Sequence, residues 1–471
     1  MNFGFFRLSI PLSGDRVLRC LAAMLMINLA LGVVLAGLVL ARGYSFAYAW
    51  SHTTLGQPAL ITTRAWVDSW WPMFTAYEHH RRDPTANLYD VFDQGVKFQY
   101  PPSALLVCDL LPRSMVVVHG SELDATFLDW LTICSRLETL AVILISAALA
   151  VIGRRKLATD RQPQPVLDVA TFISAVLLGV WFTPLYSGHQ LGQIQVLLNA
   201  GIALALLMYV CGWKGASGAL IGACALIKPQ YGIVLIWSLW RGERRFSVGF
   251  GVLLSIGLGL ALYRFGWLDH WHYVEVLSYI SRHGESLHIN QSVNGLLNRW
   301  LENGAAYVPE NTFQSDFAPY HPVVHWVTTL TSVAILCLAF EPWIAKRPSA
   351  GIVDLMIALA AGTIASPVAW DHHYGLFLPI FAIALPMCLA FRPAGSVTLP
   401  LLAFSFAAMS QFLLHPEWFF ANPWRGLLGS HLFVGSLILF GLLLRLRAIG
   451  ARDFDSSLSS APLNAAAPVH A

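Results

Sequence analysis

The sequence predicts an all-α polytopic membrane protein, a helical bundle of about ten to twelve transmembrane helices with additional re-entrant or interfacial helices. Three observations carry that prediction. Of 471 residues, 56% are hydrophobic, and the mean hydropathy is +0.60. Only 12% are charged, about half of the roughly 25% found in soluble domains. Apolar runs near 20 residues, each long enough as a helix to cross about 30 Å of hydrocarbon, recur along the chain. A soluble chain of this length would form several domains, and so little charge could not cover them. Composition therefore excludes an ordinary soluble enzyme and a disordered chain. A net charge of +3 also lacks the basic footprint of a nucleic-acid binder.

The first apolar run is Cys20–Ala41, preceded by Arg7, Arg16 and Arg19. It is longer than the apolar region of a signal peptide and is read as an anchor helix. Nine further runs follow: Leu128–Ile152, Val166–Leu185, Val196–Gly212, Phe246–Trp267, Val323–Phe340, Ile352–Val368, Tyr374–Phe391, Val397–Leu414 and Leu428–Leu444. Two more segments are apolar but irregular. Tyr100–Val118 is interrupted by Pro101, Pro102 and Pro112, which suggests a short, interfacial or re-entrant element. Gly218–Trp240 is split by Lys228-Pro229. Broken backbone at membrane depth is tolerated only against protein or a water-filled cavity, so this break marks a candidate cavity.

If the spans alternate, most Lys and Arg between them fall on one side, which the positive-inside bias makes cytoplasmic. Both termini are then cytoplasmic. A single membrane domain over residues 1–450 is expected, followed by a disordered tail over 451–471. The opposite side carries the long segments 43–101 and 268–322. Of 16 histidines, all but His470 lie in or beside outer segments. The polar chemistry is therefore expected on the outer face. The seven cysteines are scattered, without a C-x-x-C pair, and read as small apolar fillers.

Four constellations stand out on that face. Asp68 opens DSWWPMFTAYEHHRRDPTANLYD, whose aromatics suggest an amphipathic helix on the membrane surface. On spacing alone, an N-terminal cap is the commoner role for such an aspartate, with a catalytic base as the alternative. Arg81 and Arg82 either belong to a solvated face or bind an anionic head group. SPVAWDHHY places Asp371 beside His372 and His373 at the end of a span. This group suits a phosphate or a tuned proton, and equally suits a cap with interfacial histidines. YSGHQLGQIQ offers Gln193 to hydroxyl-rich ligands, or is a polar turn. NQSVNGLLNRW offers Asn290 and Gln291 in the same sense, or caps a surface helix. Lys228 sits inside an apolar segment at a helix break, where a lysine snorkels or pairs with an anion. No metal-ligand spacing, nucleotide loop or dinucleotide fingerprint is present, so neither a metal nor a cofactor is expected.

Taken in order, these segments resemble glycosyltransferase family 87, a group of bacterial membrane enzymes of the GT-C type. The resemblance runs from Asp68 to about Pro379. It includes Asn87-Leu88-Tyr89, QYPPSALL from Gln99, GQIQVLLNAGIALALL from Gly192, GALIGACALIKPQYGIVLIWSLWRGERR from Gly218, NQSVNGLL and SPVAWDHHY. It implies a GT-C-like bundle and transfer of a hexose, mannose foremost, from a polyprenyl-phosphate donor to a lipid or glycan hydroxyl on the outer face. It further implies that Asp68 is the general base. His372, His373 and Lys228, and less directly Arg81 or Arg82, would stabilise the departing phosphate. Trp70-Trp71-Pro72 and the long His-rich second outer segment depart from the pattern and bear on the acceptor. An arabinofuranosyl donor is an alternative within the class. A transporter or flippase is the alternative outside it, but only one broken helix is visible, with no matching partner.

Overall fold

In hydrocarbon, backbone N–H and C=O groups have to pair within their own segment, and the apolar runs of this chain do so as helices. The computed structural model describes residues 14–119, 122–158, 162–306, 317–344, 351–390, 397–411 and 423–449. The expected tail over 451–471 lies outside them. In chain order the helices are α1 (Gly14–Ala41), α2 (Phe46–Ser51), α3 (Trp70–Arg82), α4 (Leu106–Asp109), α5 (Ala125–Leu157) and α6 (Pro165–Val180). Next come α7 (Thr183–Leu191), α8 (Gln195–Val210), α9 (Lys214–Ile227), α10 (Ile233–Trp240), α11 (Arg244–His283) and α12 (Val293–Trp300). The series closes with α13 (Pro322–Ile344), α14 (Ile352–Ile364), α15 (Phe377–Ala390), α16 (Thr398–Ser410), α17 (Pro423–Leu428) and α18 (His431–Ile449). The extended pairing among the described residues is slight: Val118–His119 against Glu122–Leu123, and a bridge between Asn290 and Trp370. The fold is all-α.

Six helices among the described residues are long and apolar enough to cross a membrane, and the bent pair α6–α7 makes a seventh. The molecule is thus a multi-pass membrane protein. Each of the ten apolar runs contains a helix, but four depart from a simple span, Val196–Gly212 among them because it yields only the 16-residue α8. The run Val166–Leu185 bends by 52° between α6 and α7, so Tyr186–Leu191 continues as helix instead of forming a loop. The runs Ile352–Val368 and Val397–Leu414 yield α14 and α16, each of 13 residues. At a rise of about 1.5 Å per residue, 13 residues give roughly 20 Å, short of a full crossing. Every residue of α14 is buried, so it is apolar because it is core. Conversely, α11 runs well past the expected Trp267. It is kinked at Gly266 (φ +76°) and continues to His283, so the first part of the expected outer loop 268–322 is helical.

Burial separates the centre from the periphery. The span Asp371–Ala390 is 94% buried, against 22% for the windows in α1 and α13. Met26, Val33, Leu330 and Val333 on those outer helices are exposed, as lipid-facing residues are. The tightest seam lies between α9 and α11. A Cβ on Gly218 would come within 2.1 Å of Phe246 O, one on Gly222 within 2.7 Å of Phe250 O, and one on Gly249 within 2.0 Å of Gly215 O. Small residues four apart let two helix backbones meet where no hydrophobic effect drives them together.

One end of the bundle is fastened by ion pairs. Arg154 and Arg155 both pair with Asp168, joining α5 to α6. Asp354 of α14 receives Arg241 at 2.9 Å and Arg447 at 3.9 Å, and Lys214 meets Glu243 at 3.0 Å. The acidic groups described next lie on segments at the opposite ends of these helices.

Candidate active site

The site starts with a backbone strap. Trp66 N–H donates to Gln190 O (2.9 Å) and Asp68 N–H donates to Leu191 O (3.0 Å), fastening residues 66–68 to the end of α7. Gly192 ends that helix at φ +63°, where an L side chain is strained. A Cβ there would also lie 1.7 Å from Trp66 O. Ser69 completes the junction by accepting from Ile194 N–H (2.8 Å) and donating to Gly192 O (3.3 Å). Gln193 then donates its amide N–H to Asp68 Oδ2. Ser69, not Asp68, occupies the cap position of α3, and its side chain makes no cap hydrogen bond. The commoner role for Asp68, helix capping, is therefore corrected: the strap turns its carboxylate toward Gln193. The expected surface helix is also corrected. Trp70, Met73, Phe74 and Ala76 of α3 are buried, and Trp70 and Phe74 pack on Phe127.

Asp371 begins the short 3-10 turn Asp371–Leu376. Its Oδ2 accepts from the Ser187 hydroxyl and its Oδ1 from His372 N–H, both at 2.7 Å. His372 Nδ1 stands 3.4 Å from Oδ1. Asn199 donates to His372 O at 3.1 Å, and Gly375 allows that approach, since a Cβ there would meet Asn199 Nδ2 at 2.2 Å. Lys228 follows α9 in an extended conformation (φ −129°, ψ 97°), as the residue before a proline prefers. The helix breaks there, and Lys228 Nζ contacts His373 Nε2. Gln193 links the QYPP segment as well, because Tyr100 OH donates to its Oε1 at 3.4 Å.

Electrostatics tie these pieces together. Asp68 lies within range of the charges of Glu285, Lys97 and Asp371, and Lys228 lies within range of Asp68. Burial pushes the Asp68 carboxyl up from its ordinary 3.8 to about 6, opposed by the Gln193 hydrogen bond and by Lys97, and assisted by Glu285 and Asp371. A carboxylate so poised is ionised at neutral pH and basic enough to accept a proton.

Of the residues singled out in the sequence, Asp68, Gln193, Lys228, Asp371, His372 and His373 converge. Arg81 and Arg82 do not. They are exposed, pair with Glu78 at 3.4 and 3.2 Å, and stand about 17–18 Å along α3 from its start, given the helical rise. Asn290 and Gln291 sit close by but are committed to the backbone. Asn290 Nδ2 donates to Glu285 O (2.8 Å) and Pro367 O (3.2 Å), and its Oδ1 accepts from Ala369 N–H (3.0 Å). Gln291 Nε2 donates to His288 O (2.8 Å) and Gly429 O (2.7 Å). Their expected place as hydroxyl ligands is corrected to a structural one: their polar atoms are engaged in holding the outer segments together. Sequence reasoning missed Glu285, which is fully buried, and Lys97. Neither has a local pattern that distinguishes it. Among the described residues no three His, Cys, Asp or Glu side chains are grouped to hold a metal ion.

A multi-pass helical membrane protein with an acid–base–cation cluster at one end of its helices is the class that fold and site define. Residues 98–367 match glycosyltransferase family 87, more than half of the chain, and the chain belongs to that family. Asp68 lies upstream of the matched residues and Asp371 just beyond them. A polyprenol-phosphate-mannose-dependent alpha-(1-2)-phosphatidylinositol mannoside mannosyltransferase of Mycobacterium tuberculosis is 24% identical over 298 residues, 60% of this chain and 61% of the relative. A phosphatidylinositol pentamannoside mannosyltransferase of the same species is 26% identical over 53% of this chain and 56% of the relative. A phosphatidylinositol mannoside mannosyltransferase of Mycolicibacterium smegmatis is 22% identical over 71% of this chain and 72% of the relative. The chain thus spans about three fifths of the first two relatives. No solved structure matches it.

Proposed function

We propose that the chain is a membrane glycosyltransferase that moves a hexose, mannose foremost, from a polyprenyl-phosphate donor to a hydroxyl of a lipid or glycan acceptor at the outer face of a bacterial inner membrane, with both termini cytoplasmic. The observation that carries this reading is Asp68. Its carboxylate is poised near 6, oriented by Gln193, and lies within electrostatic range of Lys228, which contacts His373. Asp68 takes the acceptor hydroxyl proton as that oxygen bonds to the anomeric carbon. The bond from the anomeric carbon to the phosphate oxygen breaks, and the polyprenyl phosphate leaves with the electron pair. Lys228, together with His372 and His373, stabilises that anion where its charge develops. The three relatives, each named as dependent on polyprenol-phosphate mannose, support the donor class.

The test uses purified full-length protein in detergent with radiolabelled polyprenyl-phosphate mannose and a lipid acceptor extract, beside Asp68→Asn. Labelled lipid from the wild type and none from the variant is expected. No product with any polyprenyl-phosphate sugar would overturn the reading, and full activity of the variant would overturn the base assignment.

A further inference from the structure

Glu285 has no part in the mechanism above, yet it is fully buried beside it. One carboxylate oxygen accepts from the Trp370 indole N–H at 2.5 Å, in the residue that precedes Asp371. The other, Oε1, has no hydrogen bond of good geometry; the Lys97 ammonium stands 3.8 Å from it, and the Gln99 side chain is within reach of the same carboxyl group. Lys97 in turn lies over the Phe317 ring, 4.4 Å from its centroid.

The surrounding segment is built to hold this side chain in place. Gly284 adopts φ +64°, and a Cβ on it would fall 1.9 Å from Asn294 Oδ1. That same Oδ1 accepts the Glu285 N–H at 3.2 Å, and Asn290 binds the Glu285 carbonyl at 2.8 Å. The amides of NQSVNGLLN thus clamp Glu285 on both sides of its backbone. Stability alone does not account for such an arrangement. An indole N–H is satisfied by any carbonyl, whereas a buried carboxylate within range of Asp68 adds like-charge repulsion to its desolvation cost. Groups kept against that cost belong at functional sites.

We infer that Glu285 is an acceptor-binding residue, whose free carboxylate oxygen receives a hydrogen bond from a sugar hydroxyl neighbouring the one that Asp68 deprotonates. The ligand class this implies is a polyhydroxylated acceptor, a glycan-bearing lipid or a glycoside, and not a lone lipid alcohol. Two adjacent hydroxyls would then meet two carboxyl groups, with Lys97 favouring the charged form of the second against its burial. The inference rests on the glycosyltransferase reading above.

The experiment measures transfer from radiolabelled polyprenyl-phosphate mannose to octyl α-mannoside by full-length wild type, Glu285→Gln and Lys97→Met, with KM determined separately for donor and acceptor. Glutamine keeps an oxygen for Trp370 and removes the charge. Charged hydrogen bonds are the stronger kind, so the acceptor KM should rise about tenfold or more, with the donor KM within about twofold and the melting temperature not lowered. An unchanged acceptor KM, or a parallel rise in donor KM, would refute the assignment while leaving the transferase reading intact. No transfer by the wild type would bring down both. If Glu285→Gln fails to fold, Lys97→Met decides: an acceptor KM raised about threefold or more upholds the inference, and an unchanged one refutes it.

Discussion

Asp68→Asn should do two opposite things, and their combination is diagnostic. Burial lifts the Asp68 carboxyl from 3.8 to about 6, so the folded protein pays to keep it charged. A difference of that size corresponds to about 3 kcal/mol at 1.36 kcal/mol per pH unit. The sign follows from linkage. Because the folded state holds its proton more tightly, stability is greatest below pH 3.8 and falls as pH rises through 6. Asparagine removes that loss and retains an oxygen for the Gln193 N–H. At pH 7.5 the variant should therefore be more stable by roughly 1–3 kcal/mol, the lower part of the range allowing for the partial exposure of the residue. At pH 4 the advantage should vanish. Transfer activity, in contrast, should drop by about 10²–10⁴, the usual contribution of a general base. The assay pairs thermal unfolding in detergent across pH 4–8 with radiolabelled transfer. A variant that melts lower than wild type at pH 7.5, or gains stability equally at pH 4 and 7.5, would refute the electrostatic account.

Wild-type activity should rise through an acid limb near pH 6 as Asp68 ionises, and this limb should be read from kcat/KM against pH. Lys228→Met should lower kcat by about 10²-fold or more while its helix content, followed by circular dichroism, stays unchanged, because the cation acts on a charge that appears only in the transition state. Gly192→Ala should destabilise the protein by more than about 1–3 kcal/mol, adding a clash with Trp66 O to backbone strain, and should reduce activity by displacing Asp68. The double variant Arg81→Ala, Arg82→Ala should change kcat/KM less than about twofold and stability by under about 0.5 kcal/mol, since both arginines form only exposed pairs.

The apolar runs were legible because hydropathy is a local property, and a helix stands within each of them. Their limits were less so. Gly266 bends α11 without ending it, and α14 is as apolar as a span because it is core. The site divided along the same line. Asp68, Lys228 and the Asp371–His373 group announce themselves as ionisable residues beside apolar segments. Gln193 was visible through its flanking glycines. Glu285 was not, for its meaning comes from Trp370 and Asp68, groups 85 and 217 positions away in sequence. Asn290 and Gln291 drew attention as polar residues in an outer segment, but amides suit backbone carbonyls as well as sugars, and only the fold shows which they met. Arg81 and Arg82 failed for a geometric reason: a straight helix carries its far end away from its beginning.

The glycine seam between α9 and α11 has a consequence at some distance from it. Lys228 is the first residue after α9, and Glu285 comes two residues after the end of α11. Backbone packed on backbone leaves no side chain to yield, so neither helix slides along the other without a collision. A contact made largely of main chain therefore contributes to the spacing of an ammonium and a carboxylate, the latter carried beyond the bend at Gly266. Adding one methyl at Gly222 would shift that spacing without touching either charge.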